Sequence, residues 1–92
     1  MPDSRFPVLA VRPGEGATVS VDLQGTAAPE LDSDVLLIVG TSKYMGAVTA
    51  AGAVCGADEC VRGLVVDVFD RPVRELVLEA WAAAGKAEMR SA

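Results

Sequence analysis

Five bulky aliphatic residues, Val35-Leu36-Leu37-Ile38-Val39, pass directly into Gly40-Thr41-Ser42-Lys43. A long stretch of small residues follows, Tyr44-Met45-Gly46-Ala47-Val48-Thr49-Ala50-Ala51-Gly52-Ala53-Val54-Cys55. The unbroken aliphatic run predicts a strand covered on both faces. The polar residues after it predict a tight turn, and the small residues a helix capped by Thr41 or Ser42. Met45, Val48, Gly52 and Cys55 would give that helix a shallow apolar stripe. A helix with so little side-chain bulk lets its backbone come close to a sheet, a ligand or another copy of itself. Gly46, Ala50 and Gly52 are therefore candidate interface positions. No ionised side chain falls between Tyr44 and Ala57, and such a surface is costly to leave fully wet.

The flanking segments are read against this centre. Phe6 to Arg12 predicts a strand, and Pro13-Gly14-Glu15-Gly16 a turn. From Ala17 to Leu23 the pattern alternates, with Val19, Val21 and Leu23 on one face and Thr18, Ser20 and Asp22 on the other. The two runs predict a hairpin, followed by a long loop from Gln24 to Asp34 that carries function or crosses an end of the sheet. Leu64 to Phe69 predicts another strand, with Asp67 interrupting one of its faces. A second helix opens at Asp70 or Arg71 with Pro72 in its first turn. Val73, Leu76, Val77, Ala80, Trp81 and Ala84 form its apolar face, Arg71 pairs with Glu75, and Gly85 ends it. Residues 1–5 and 86–92 are expected to fray.

The order is thus β-β-β-α-β-α. It predicts one α+β domain over residues 1–92, a mixed four-stranded sheet with two helices packed mainly on one face. Val35 to Val39 and Leu64 to Phe69 would be parallel strands joined by a right-handed crossover.

Composition narrows the function. In 92 residues only Phe6, Tyr44, Phe69 and Trp81 are aromatic, so the core rests on Val, Leu and Ala. A core of that size leaves little stability to spare, which favours self-association. Thirteen acids against eight bases, with no basic stripe, argue against nucleic acid as a partner. The longest uninterrupted apolar run is Val35 to Val39, far short of a membrane span. Met-Pro-Asp-Ser-Arg lacks the layout of a signal peptide, so the expected location is the cytoplasm. Cys55 and Cys60 are spaced as neither a CxxC redox pair nor half of a usual zinc framework, and the chain has no His. They remain weak metal candidates and are expected as two reduced thiols.

Gly40, Thr41, Ser42 and Lys43 are the candidate ligand-binding residues. A strand end entering a helix N-terminus offers free N–H groups, partial positive charge, two hydroxyls and an ammonium, which together suit a small anion. Catalysis is poorly supplied without His. Lys43 and Asp67 are its weak candidates, one as an amine nucleophile and the other as a perturbed carboxylate. No cofactor is expected. The expected function is a non-enzymatic, homo-oligomeric assembly or accessory subunit. The alternative is a small enzyme or ligand-binding protein with a pocket at a subunit boundary around Lys43 and Asp67.

Between Val35 and Pro72 the chain is similar to the second half of bacterial microcompartment shell proteins. The matching pieces are Val35-Leu36-Leu37-Ile38-Val39-Gly40, Gly46-Ala47-Val48-Thr49-Ala50-Ala51-Gly52 and Val65-Val66-Asp67-Val68-Phe69-Asp70-Arg71-Pro72. The resemblance implies a strand, an Ala- and Gly-rich helix and a second strand, serving a shell-type structural assembly.

Overall fold

The computed structural model describes residues 5–83 and 86–91. Strands β1 (Arg5–Pro13) and β2 (Thr18–Gln24) form the expected antiparallel hairpin. Then follow β3 (Asp34–Val39), β4 (Ser42–Ala50), β5 (Ala53–Cys55) and β6 (Cys60–Val68). The one helix among the described residues, α1 (Val73–Ala82), is followed by β7 (Ala87–Ser91). Every strand pairing among the described residues is antiparallel, and pairing of β2 with β6 closes the order β1-β2-β6-β4-β3-β7 into a six-stranded barrel. The short β5 continues along β6 beyond the end of β4.

The α+β expectation with two helices is thereby corrected. The segment expected as a small-residue helix is β4 and β5. Gly40, with φ +59°, and Thr41 are the two residues between the paired Val39 and Ser42. A two-residue hairpin loop needs a positive φ of this kind. From there Tyr44, Gly46 and Val48 alternate into the barrel, with Met45, Ala47 and Thr49 on the outer face. Pairing with β3 on one side and β6 on the other overrides the weak strand propensity of Ala and Gly. The parallel crossover is absent too, because β4 lies between β3 and β6. The strand–helix–strand unit implied by the resemblance to shell proteins is therefore not formed.

The carboxyl-terminal segment expected to fray is β7, which pairs with β1 over Arg5–Pro7 and with β3 over Val35–Val39. Its main tie is the backbone ladder, and Met89 is its one fully buried side chain. The expectations for residues 1–4, for Ala84 and for Gly85 as helix terminator lie outside the described residues.

The barrel interior is filled by side chains. Val19, Val21 and Leu23 point inward from β2, as their alternation predicts, and meet Val35, Leu37 and Val39 of β3 and Leu64, Val66 and Val68 of β6. Leu76 of α1 joins this cluster. The loop between β2 and β3 straps onto β4, where Val48 N–H donates to the Ser33 carbonyl and Asp32 N–H to that of Val48.

Asp22 is the polar pin of the closure. Its Oδ1 accepts from Arg12 of β1 at 2.7 Å and from the Gly63 N–H of β6 at 3.0 Å, so one carboxylate on β2 ties three strands. The hydrogen bond from Arg12 is the main reason that the Asp22 carboxyl lies below the usual range, with burial opposing it. A lowered carboxylate stabilises the fold above its ordinary value near 4, and loses that contribution as pH falls through the folded one. Asp22→Asn is expected to lower stability by about 1 kcal/mol at pH 7, allowing for screening at the half-exposed Arg12. Urea midpoints at pH 7 and pH 3 check this. The gap between wild type and variant should shrink at pH 3, and an unchanged gap would show that the charge is not involved.

Candidate functional site

The most distinctive surface lies where β1 loses a neighbour. β1 pairs with β7 only through Arg5–Pro7, whereas its pairing with β2 runs from Val8 to Pro13. Past Pro7 the far edge of β1 therefore has no strand beside it among the described residues, and α1 lies there instead. Between strand edge and helix runs a groove of about 380 Å³, with Leu9 and Val11 on the strand side and Val77, Ala80 and Trp81 on the helix side. None of the described residues that line it is ionisable. Leu9 sits where the β1–β2 register shifts between Val8 and Ala10, and it is 54% exposed. Trp81 is 87% exposed. Large apolar side chains grouped at a groove mark a binding surface more often than scattered ones do.

The helix wall is fixed from the polar side. Ser42 Oγ donates to Glu79 Oε1 at 2.8 Å. The Arg71 guanidinium stacks 4.4 Å from the ring centroid of buried Tyr44 and forms the expected ion pair with Glu75. Burial is the main influence raising the Tyr44 phenol above its ordinary value, and Arg71 opposes it. These contacts tie α1 and the residue two before its start to β4.

The residues singled out from sequence are distributed differently. Gly40, Thr41, Ser42 and Lys43 form a hairpin turn and the start of β4, so the helix N-terminus that argued for an anion is not there. The Gly40 N–H is engaged by the Lys86 carbonyl at 2.9 Å, and the Ser42 hydroxyl by a carboxylate. Lys43 is exposed on β4. Asp67 on β6 pairs with Ala47, four residues further along β4, which separates the two by about 13 Å of strand. The fold does not bring Lys43 and Asp67 into one pocket. Gly46 is buried against β6, Gly52 lies against Val61 and Arg62, and Ala50 is exposed opposite Val65.

Cys55 and Cys60 are free thiols directly opposite each other at the end of the β5–β6 hairpin. Loss of solvent, then the adjacent Cys60, push the Cys55 thiol above its ordinary value, with Arg62 opposing and Asp58 adding to the rise. Among the described residues no three His, Cys, Asp or Glu side chains gather as a metal site would require. No described helix is long and apolar enough to cross a membrane.

The groove was hidden in the sequence for a structural reason. Trp81 falls on the apolar face of α1 by spacing, yet of that face only Leu76 is fully buried, Val73, Val77 and Ala80 pack partly against the core, and Trp81 stays outside. The missing stretch of β1–β7 pairing leaves no mark in the residues of β1. No family model, curated protein or solved structure matches this chain.

Proposed function

We propose that this chain is a non-enzymatic assembly subunit that associates with copies of itself through the groove between β1 and α1. The observation that carries the reading is Trp81, 87% exposed beside a groove whose described lining residues are all apolar and uncharged. Covering a tryptophan gains about 4 kcal/mol before the costs of association. Each copy carries a net charge of −5, so like copies repel wherever their acids face one another. The uncharged groove is where that repulsion is weakest. The free thiols Cys55 and Cys60 fit a reducing compartment, and we place the assembly in the cytoplasm.

Sedimentation equilibrium tests this. Trp81→Ala is expected to weaken self-association by about 30- to 1000-fold, in line with a central aromatic anchor. Its melting temperature should stay near that of wild type, since the side chain is hardly packed. Trp81 is the only tryptophan, so the wild-type emission should shift to the blue as concentration rises. A wild type that stays monomeric up to millimolar concentration, or an equal association constant for the variant, sinks the proposal.

A further inference from the structure

A second feature lies on the β5–β6 hairpin, independent of the groove. Cys55 and Cys60 are the last paired residues before the 56–59 turn. Directly opposed residues of antiparallel strands point to the same face, with Cα atoms about 4.5–5.5 Å apart. A disulfide spans Cα separations of about 4.4–6.8 Å, so the pair sits within bridging distance without rearrangement of the ladder. The turn itself is exposed, and a Cβ added at Gly56 would meet nothing within 4 Å, which leaves room for the small adjustment that bonding requires. The two thiols differ in access: Cys55 is half-buried and Cys60 is buried.

We propose that Cys55 and Cys60 form a thiol–disulfide exchange site that closes into a cross-strand disulfide at the expense of a low-molecular-weight disulfide. The Cys55 thiolate, after losing its proton to solvent, attacks one sulfur of the reagent. An S–S bond forms to Cys55, and the first half of the reagent leaves as a thiolate that takes up a proton. Cys60, after losing its proton to solvent, attacks as thiolate the Cys55 sulfur of this mixed disulfide; the bond from Cys55 to the reagent half breaks, and that half leaves as a thiolate that takes up a proton. Two protein thiols are oxidised to one disulfide while one reagent disulfide is reduced to two thiols, so atoms and electrons balance. Access assigns the order, with Cys55 meeting the reagent and Cys60 resolving the adduct.

The test uses excess glutathione disulfide and intact-mass measurement on the whole chain. Wild type is expected to lose two hydrogens, retain no adduct and release two equivalents of glutathione. Cys60→Ser should keep one glutathione on Cys55 and release one equivalent. Cys55→Ser should react at least tenfold more slowly than Cys60→Ser. Should a serine variant fail to fold, wild type alone suffices. Trypsin cuts after Lys43 and Arg62, so both cysteines fall in one peptide, whose mass drops by two hydrogens on closure. A stable adduct on wild-type Cys55, a disulfide-linked dimer, or a wild type that stays fully reduced would each overturn the proposal.

Discussion

Gly46→Leu is expected to abolish folding, and Gly46→Ala to lower the melting temperature by about 10–20 °C. At the buried Gly46 an added Cβ would lie 2.6 Å from the Asp67 carbonyl oxygen and 2.8 Å from Val66 Cγ1. The first of these atoms is backbone in the adjoining strand. It cannot retreat without opening the ladder in which Gly46 faces Val68 and Ala47 faces Asp67. Forcing one methyl into such a site costs about 1–3 kcal/mol. In a domain of this size each kcal/mol moves the midpoint by about 4–8 °C. A leucine adds three further carbons at the same place, and the strain then approaches a total stability of about 5–14 kcal/mol. Circular dichroism melts of both variants check this, with Gly56→Ala as control because a Cβ there meets nothing and its φ is not left-handed. A Gly46→Ala protein that melts with wild type would mean that β4 and β6 do not approach as closely as described.

That same glycine explains what the sequence disclosed and what it concealed. The small residues from Gly46 to Gly52 signal that some element comes unusually close, and β6 of the same chain is such an element. Their spacing does not say whether they lie on a helix or a strand. Gly46 and Ala50 are one helical turn apart, yet four residues is also two strand repeats. Where side chains are large the ambiguity disappears. Val19, Val21 and Leu23 alternate with Thr18, Ser20 and Asp22, and all three apolar residues are fully buried. Val35, Leu37 and Val39 are inside as well, although Leu36 and Ile38 between them mask the alternation and suggest a strand covered on both faces.

Elements held mainly by non-local pairing left the faintest trace. β7 has one buried side chain and two polar neighbours, Glu88 and Arg90, which pair with each other at 2.9 Å. Nothing in Ala-Glu-Met-Arg-Ser marks it as the strand between β1 and β3. The groove inherits the same opacity, since it exists because β7 pairs with β1 over so short a span. A local charge pair is legible from spacing alone: Arg71, just before the Pro72 N-cap, pairs with Glu75 in the first turn of α1 as i,i+4 spacing implies.

Leu76→Ala is expected to cost about 2–5 kcal/mol and to lower the midpoint by at least about 10 °C. Helix α1 has ten residues, and its N-cap, Pro72, makes no side-chain capping bond. Alone in water such a helix is marginal, so packing must hold it in place. Leu76 is its only fully buried side chain and belongs to the same cluster as the barrel interior. Truncating it opens a void in the barrel core and weakens the seat of the helix together. Leu78, two residues on and 62% exposed, serves as control, and Leu78→Ala should change stability by no more than about 0.5 kcal/mol. Urea denaturation of both variants measures the difference, and a Leu76→Ala cost below about 1 kcal/mol would show that α1 is not anchored through the core. The pair Leu76→Ala and Trp81→Ala also separates the two roles of the helix. Loss of the anchor should reduce stability and self-association together, because the groove needs its helix wall. Loss of Trp81 should reduce self-association alone, because its side chain lies outside the packed interior.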